Sequence, residues 1–175
     1  MRWQVFNPRT WKRARARMKS EETELAPHLL LGRRGEELAA EFLESAGYRL
    51  VASNFKLPVG RSLRGAPVHA EIDCIAYEGT SLCFVEVKTR SSSWFTTPES
   101  NVDLRKQRQI TRAARVYRRL FGLSGEPYRY DVVSIVLPPV EEDRPIIPQI
   151  ELLRNFWTDE KFRKRRWMAN TYADL

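Results

Sequence analysis

Two strand-like segments joined by a short connection constrain the fold of this chain more than any other feature. HAEIDCIAY (residues 69–77) and LCFVEVK (82–88) have the composition of β-strands, and the residues between them, EGTS, have turn chemistry. If the hairpin turns symmetrically about Gly79 and Thr80, Asp73 faces Glu86 and Glu71 faces Lys88 on one face. Directly opposed residues have Cβ atoms roughly 4.5–5.5 Å apart. The hairpin therefore predicts two carboxylates close together.

Opposed carboxylates destabilise a hairpin unless a cation compensates them. The candidate ligands, Asp73 and Glu86, are hard oxygen donors, which suit Mg²⁺ or Mn²⁺ and do not suit a structural zinc. Lys88 lies two residues beyond Glu86 on the same face, where its ammonium can orient a water and balance charge on a phosphoryl group. The expected chemistry is phosphodiester hydrolysis. The alternative is a surface hairpin with ordinary cross-strand ion pairs, which the apolar run around Phe84 disfavours.

A third acid, Glu36, belongs to a predicted helix. GRRGEELAAEFLESAGY contains good helix formers and ends at Gly47. Helical spacing places Glu36 on the apolar stripe with Ala39 and Leu43, whereas Glu37 lies on a polar face. An inward carboxylate needs a partner, and a metal site provides one. The alternative is a first-turn acid stabilised by the helix dipole.

The remaining segments predict an α/β (α+β) fold with a mixed sheet between helices. YRLVASNF reads as a strand, Lys56 to Pro67 as a long loop, Val102 to Phe121 as a helix, YRYDVVSIV as a central strand and IIPQIELL as an edge strand. We predict three parts: a basic arm (residues 1–30), one domain (31–157) and a basic tail (158–175).

The chain carries 30 Lys and Arg against 22 Asp and Glu, a formal net charge of +8. This balance favours a polyanionic partner such as nucleic acid. In the second predicted helix, Lys106 is in line with Ile110 and Tyr117, so we expect it to face the site, with a phosphate as its candidate contact. The arginines lie on other faces, and we predict that they contact nucleic acid, although such faces are often only solvated. The predicted contacts are Arg105, Lys106, Arg108 and Arg112.

The first twenty residues hold seven cations among three aromatic residues and no acid. A targeting peptide, a nucleic-acid-binding arm and a disordered tail all fit this pattern, and we favour nucleic acid. The two cysteines and two histidines have no metal-ligand spacing. No apolar run of transmembrane length and no signal peptide is evident, so we expect a soluble, cytoplasmic protein without a membrane partner.

In order, GRRGEELAAEFLESAGYRLVASNF, EIDCIAY, CFVEVKTR, the helix carrying Lys106, YRYDVVSI and IELLRNFW resemble the bacterial YraN-like uncharacterised protein family. The resemblance covers about residues 31–157, and its most specific pieces are GxxGE, EID and FVEVKTR. Two departures stand out. Ala70 replaces the usual Gly of GEID, and the segment from Lys56 to His69 is longer than expected.

That family is similar to the restriction-endonuclease-like, or PD-(D/E)xK, superfamily, which includes archaeal Holliday-junction resolvases. The resemblance implies the same core fold and a residue-by-residue match. Glu36 matches the helical acid, Asp73 the metal-binding acid, and Glu86 with Lys88 the ExK pair. The resemblance also implies the Val87 carbonyl as a further metal ligand, and a homodimer by analogy with resolvases.

Two functions follow from these expectations. The first is a metal-dependent endonuclease that hydrolyses DNA, in preference to RNA, with branched or damaged DNA as candidate substrates. The second is a non-catalytic module that uses a nuclease fold to hold nucleic acid. A structural or ribosome-associated basic protein would also explain the charge, but it leaves the inward-facing acids unexplained.

Overall fold

The computed structural model describes residues 27–91, 102–137 and 147–162. These residues form two α-helices and a five-stranded mixed sheet, which confirms the predicted α+β fold class. The predicted arm up to residue 26 and the predicted tail beyond residue 162 lie outside the described residues. The elements in chain order are α1 (Pro27–Ser45), β1 (Arg49–Arg61), β2 (Pro67–Glu78), β3 (Ser81–Arg90), α2 (Leu104–Leu120), β4 (Tyr128–Val136), β5 (Gln149–Trp157) and a 3-10 turn (Asp159–Phe162).

Helix α1 begins at Pro27, inside the segment predicted as the arm. Proline is tolerated in a first helical turn because the N–H it lacks would have no partner there. The helix ends as predicted at Gly47, which has a φ of 90°. The N–H of Tyr48 then donates to the carbonyl of Leu43 at 2.9 Å, as in a Schellman cap. Neither α1 nor α2 is long and apolar enough to span a bilayer, and the same holds for every described helix.

The strand order in the sheet is β1-β2-β3-β4-β5. The pairs β1–β2, β2–β3 and β4–β5 are antiparallel, whereas β3–β4 is parallel. A parallel pair needs a crossover, and α2 lies on the connection between β3 and β4. Strand β4 has a neighbour on both sides and β5 lies at an edge, as the sequence predicts.

The predicted long loop from Lys56 to Pro67 is wrong. This segment is the far half of β1 and a short connection (residues 62–66) to β2. Leu57 pairs with Ala70, and the register shifts between Pro58 and Gly60. Because β1 is an edge strand, a proline removes no essential ladder hydrogen bond, so the Pro and Gly content that suggested a loop is compatible with a strand here.

The sheet carries one helix on each face. Helix α2 buries Ile110, Ala113, Ala114 and Tyr117 against Ile75, Phe84 and Tyr130. Helix α1 buries Ala39 and Leu43 against Cys74, Cys83, Val85 and Val133 on the other face. The alternating side chains of the central strand β3 therefore supply both cores.

A buried polar network fastens one end of this sandwich. Asp131 is fully buried, and its carboxylate accepts hydrogen bonds from Arg129 Nε at 3.0 Å, Tyr48 Oη at 3.2 Å and the Asn155 N–H at 2.8 Å. Arg129 also pairs with Glu78, at the end of β2. Because the buried acid has several partners, the network reads as structural: it ties Tyr48, between α1 and β1, to β2, β4 and β5.

Helix α1 packs closely against β3 at Gly35. A Cβ built on Gly35 would lie 1.6 Å from Oγ1 and 2.7 Å from Cβ of Thr89. The residue that follows is Glu36, so this contact fixes how far Glu36 stands from the sheet. The close packing of α1 on β3 therefore explains why Gly35, the second glycine of the GxxGE segment, has no side chain.

Gly35→Ala should lower the free energy of unfolding by about 1–3 kcal/mol, because the added methyl group forces α1 away from β3. Gly32→Ala in the same helix is the matched control, since a Cβ there meets nothing within 4 Å. It should raise stability by up to about 1 kcal/mol through helix propensity. Urea denaturation measures both changes. Equal stability of the two variants would contradict the close-approach explanation.

Candidate functional site

The candidate site lies where β2 and β3 separate. Their ladder runs from Glu78–Ser81 to Cys74–Val85, with the register predicted from the symmetrical turn. Beyond Cys74, β2 continues beside β1, and Glu71 pairs with Lys56. Beyond Val85, β3 continues beside β4, and Lys88 pairs with Ser134. The predicted facing pair of Glu71 and Lys88 is therefore wrong, because the two residues lie on diverging strands.

We call this divergence the fork, defined by Asp73 on β2 and Glu86 on β3. An irregularity in β1 accompanies it. Asn54 has a φ of 52°, and it lies between the pairs Ser53–Cys74 and Phe55–Ile72, opposite Asp73. Both Ile72 and Ile75 belong to the core under α2, so the face alternation of β2 breaks between them. Asp73 lies at this break.

Asp73 and Glu86 lie one residue beyond the last ladder pair, Cys74–Val85, so they are not the paired residues that the hairpin predicts, but Lys106 contacts both of them. Asp73 Oδ2 accepts the N–H of Val87 at 2.8 Å, so a side chain takes over where the backbone ladder ends. The Glu86 side chain is only 1% exposed. Among the described residues, no backbone N–H and no neutral side chain donates a hydrogen bond to either of its carboxylate oxygens.

Two lysines supply the countercharge. Lys106 Nζ lies 3.0 Å from Glu86 Oε2 and 3.6 Å from Asp73 Oδ1. Lys88 Nζ lies 3.2 Å from Glu86 Oε1 and is the more exposed of the two cations. The prediction that Lys106 faces the site is confirmed in position, although in this structure it contacts the acids.

Burial, and then the charge of Asp73, together raise the pKa of Glu86 to about 7 against the opposing charges of Lys106 and Lys88. Burial alone would lower the pKa of Lys106, but Asp73 and Glu86 outweigh it, so that pKa is raised. The ammonium of Lys106 is thus stabilised in its charged form, while the charged form of Glu86 is penalised despite both lysines.

Glu36 reaches the same region from the opposite face of the sheet. It is half-buried, while Glu37 is exposed and pairs with Arg33 at 3.6 Å, which confirms the predicted orientation of the two acids. Burial raises the pKa of Glu36, a hydrogen bond with Asn54 opposes this, and the charges of Asp73 and Glu71 add to it. Asp73 therefore interacts electrostatically with Glu36 on α1 and with Lys106 on α2.

The outer face of α2 carries a continuous row of cations. Its members are spaced alternately by three and four residues, which places them on one side of the helix, and all are exposed. Arg115 pairs with Asp159, and Arg108 lies over the Phe162 ring. We call this row the arginine stripe; it consists of Arg105, Arg108, Arg112, Arg115 and Arg119.

Sequence reasoning missed two residues of the site. Asn54 supports Glu36, and the signal for it was an Asn inside a strand, since Asn tolerates positive φ better than most residues. Asp103 caps α2, and its Oδ1 accepts the N–H of Lys106 at 2.7 Å. An Asp directly before a helix is a recognised capping signal, and here it fixes the backbone that carries Lys106.

The donor set is small. Within residues 27–91, 102–137 and 147–162, no three Asp, Glu, His or Cys side chains converge on one point as a metal cluster. What the fork offers is a pair of carboxylates whose partners are the ammoniums of Lys88 and Lys106 and the N–H of Val87. Mg²⁺ is commonly held by one or two carboxylates, with waters and substrate phosphate completing its shell, so the donors fit that kind of ion.

Comparison with known proteins identifies the family. The model of the uncharacterised protein family UPF0102 matches residues 35–135, which include Glu36, Asp73, Glu86, Lys88 and Lys106. The chain belongs to family UPF0102. This confirms the predicted YraN-like resemblance. A UPF0102 protein of Koribacter versatilis (strain Ellin345) is 41% identical over 128 residues, 73% of this chain and 79% of the relative.

Other members of UPF0102 are similarly related. One from Chlorobium chlorochromatii (strain CaD3) is 37% identical over 131 residues, 74% of this chain and 93% of the relative. One from Solibacter usitatus (strain Ellin6076) is 42% identical over 123 residues, 70% of this chain and 82% of the relative. The family is uncharacterised, so membership assigns no activity.

The raised pKa of Glu86 predicts a pH dependence of stability. Because the folded state holds this proton more tightly than the unfolded state, the free energy of unfolding falls as the pH rises from the ordinary value of 4.5 to about 7. Glu86→Gln removes this loss. Relative to the wild type, the variant should gain about 2–3 kcal/mol between pH 4.5 and pH 8 in denaturation without metal.

Glu126→Gln, at an exposed turn residue, is the control and should follow the wild-type pH profile. A Glu86→Gln profile parallel to that of the wild type would mean that Glu86 keeps its ordinary pKa in the folded protein.

Proposed function

We propose that this protein is a metal-dependent nuclease that hydrolyses phosphodiester bonds, with the fork as its active site. The observation that carries the proposal is the state of Glu86. Asp131, the other fully buried acid described, accepts hydrogen bonds from an arginine, a tyrosine and a backbone N–H, whereas Glu86 meets the ammoniums of Lys88 and Lys106 and still keeps a raised pKa. A buried acid whose pKa stays raised beside its countercharges is typical of a functional site.

Asp73, Glu86 and the Val87 carbonyl would hold Mg²⁺ or Mn²⁺, which when bound supplies Lewis-acid polarisation of the phosphodiester. Lys88 is exposed enough to meet substrate and close enough to Glu86 to share its site, so its ammonium would place a water in line with the phosphorus and balance charge on the phosphoryl oxygens. Glu36, half-buried with a raised pKa, would take a proton from that water.

The substrate is proposed to be nucleic acid, and DNA in preference to RNA. The arginine stripe lies on the outer face of the helix whose inner face carries Lys106, so this helix would present cations to the phosphates of a nucleic acid. We keep branched or damaged DNA as candidate substrates on the resemblance to junction resolvases alone, and a homodimer on the same basis.

The second candidate is a nucleic-acid-binding protein that does not cut. The contact of Lys106 with both acids favours it, because a cation of the chain already neutralises the pair. In that case the fork would be a structural relic, and the arginine stripe would carry the function.

Cleavage assays decide between the two. With Mg²⁺ or Mn²⁺, the wild type should cut at least one of a panel of labelled single-stranded, duplex, flapped and four-way-junction DNAs and RNA. Asp73→Asn, Glu86→Gln and Lys88→Met should each lower the rate about 100-fold or more, because each removes a group from the reacting centre. Glu37→Gln, next to Glu36 but exposed, should cut like the wild type. Binding without cutting of any substrate would favour the second candidate.

The arginine stripe predicts the salt dependence of binding. Arg105→Gln with Arg112→Gln should reduce the slope of log Kd against log salt by about 2 for duplex DNA, since each phosphate contact contributes about 0.9. Arg49→Gln with Arg64→Gln removes the same charge at exposed arginines off the helix and should change the slope less. Fluorescence anisotropy titrations measure both. Equal changes in the two double variants would indicate diffuse attraction by net charge.

A further inference from the structure

The ammonium of Lys106 stands between the two acids that would hold the metal. It is 3.0 Å from Glu86 Oε2 and 3.6 Å from Asp73 Oδ1, so one cation contacts an oxygen of each. We propose that Lys106 is the resident counter-ion of this acid pair and competes with a divalent metal for it. The inference rests on the proposed function, because it concerns the same metal site.

Two cations cannot share these oxygens at low cost. A bound Mg²⁺ lies roughly 2.0–2.1 Å from its oxygen ligands. An ammonium held about 3 Å from the same oxygens would then stand beside a doubly charged ion inside a largely buried site, where like charges repel strongly. Loading of the metal therefore requires the Lys106 side chain to leave the acids.

The backbone of Lys106 is held in place, whereas its ammonium group is able to move. Its N–H is held by the capping carboxylate of Asp103 at 2.7 Å, and Ile110, one turn further along α2, is fully buried. The backbone is thus anchored. The side chain has four rotatable bonds and is 28% exposed, so its ammonium can swing towards solvent without movement of the helix.

Lys88 is the natural comparison. Of the two acids it contacts Glu86, through Oε1 at 3.2 Å, and its side chain is 36% exposed. No contact between Lys88 and Asp73 is found in the described part of the chain. Both lysines carry the same charge near the same acid, but only Lys106 contacts both of the acids that would hold the metal. Removal of Lys106 should therefore affect metal affinity more than removal of Lys88.

Calorimetric titration of Mg²⁺ and Mn²⁺ into the full-length protein without nucleic acid tests this. Lys106→Met should bind the metal about tenfold or more tightly than the wild type, because no resident cation must be displaced, and should melt at a lower temperature without metal. Lys88→Met should change the affinity less than Lys106→Met does. Lys106→Gln, which keeps a polar side chain, provides the same comparison where the methionine variant does not fold.

The wild type offers a readout that needs no substitution. In protein with ¹³C- and ¹⁵N-labelled lysines, saturating Mg²⁺ should shift the side-chain resonances of Lys106 and speed the exchange of its ammonium protons with water. Two results would overturn this inference without affecting the proposed metal site. One is a wild type that binds metal while the Lys106 resonances stay unchanged, and the other is Lys106 variants that bind metal no more tightly than the wild type. Absence of metal binding in the wild type and in all variants would overturn both.

Discussion

Strand β3 keeps β4 beside it along its whole length but loses β2 beyond Val85. This change leaves a gap in the middle of a sheet whose two faces are otherwise closed by α1 and α2. At that gap the N–H of Val87 bonds to the Asp73 carboxylate instead of a strand. Because the gap opens to both faces, Glu36 from one helix and Lys106 from the other act on the same acid. The candidate site is a consequence of the fork.

Asp131 and Glu86 are deeply buried acids on neighbouring strands, and they differ in the partners that surround them. Asp131 is satisfied by hydrogen bonds from three partners, and its network ties several elements together. Among the described residues, the carboxylate of Glu86 is contacted by the ammoniums of Lys88 and Lys106 and by no neutral hydrogen-bond donor. Burial is the largest cause of its raised pKa of about 7. A fold can supply partners to a buried acid where only stability matters. Where a buried acid keeps a raised pKa although lysines contact both of its oxygens, its charged form costs stability that a function can justify.

Local periodicity predicted much of the site. The turn at Gly79 set the hairpin register, and helical spacing set the inward direction of Glu36 and Lys106, since each depends only on neighbours in sequence. The fork could not be predicted in this way. Glu71 does not face Lys88, because Glu71 pairs with a residue of β1 and Lys88 with a residue of β4. Which strands pair with each other is a property of the whole sheet. The Pro and Gly content of Lys56 to Pro67 misled because edge strands tolerate both residues, and edge position is a property of the sheet.

The acid pair also poses a problem for folding, since two neighbouring carboxylates oppose formation of the hairpin that brings them together. Lys106 resolves it within the chain, because α2 delivers an ammonium to both acids once Asp103 caps the helix and Ile110 is buried. The protein can thus reach its fold before any metal binds. The same helix carries cations outward along the arginine stripe, so a single element would neutralise the acids inside and attract phosphates outside. Positions on α2 then have two separate electrostatic roles, and substitutions at inner and outer positions should separate metal affinity from nucleic-acid affinity.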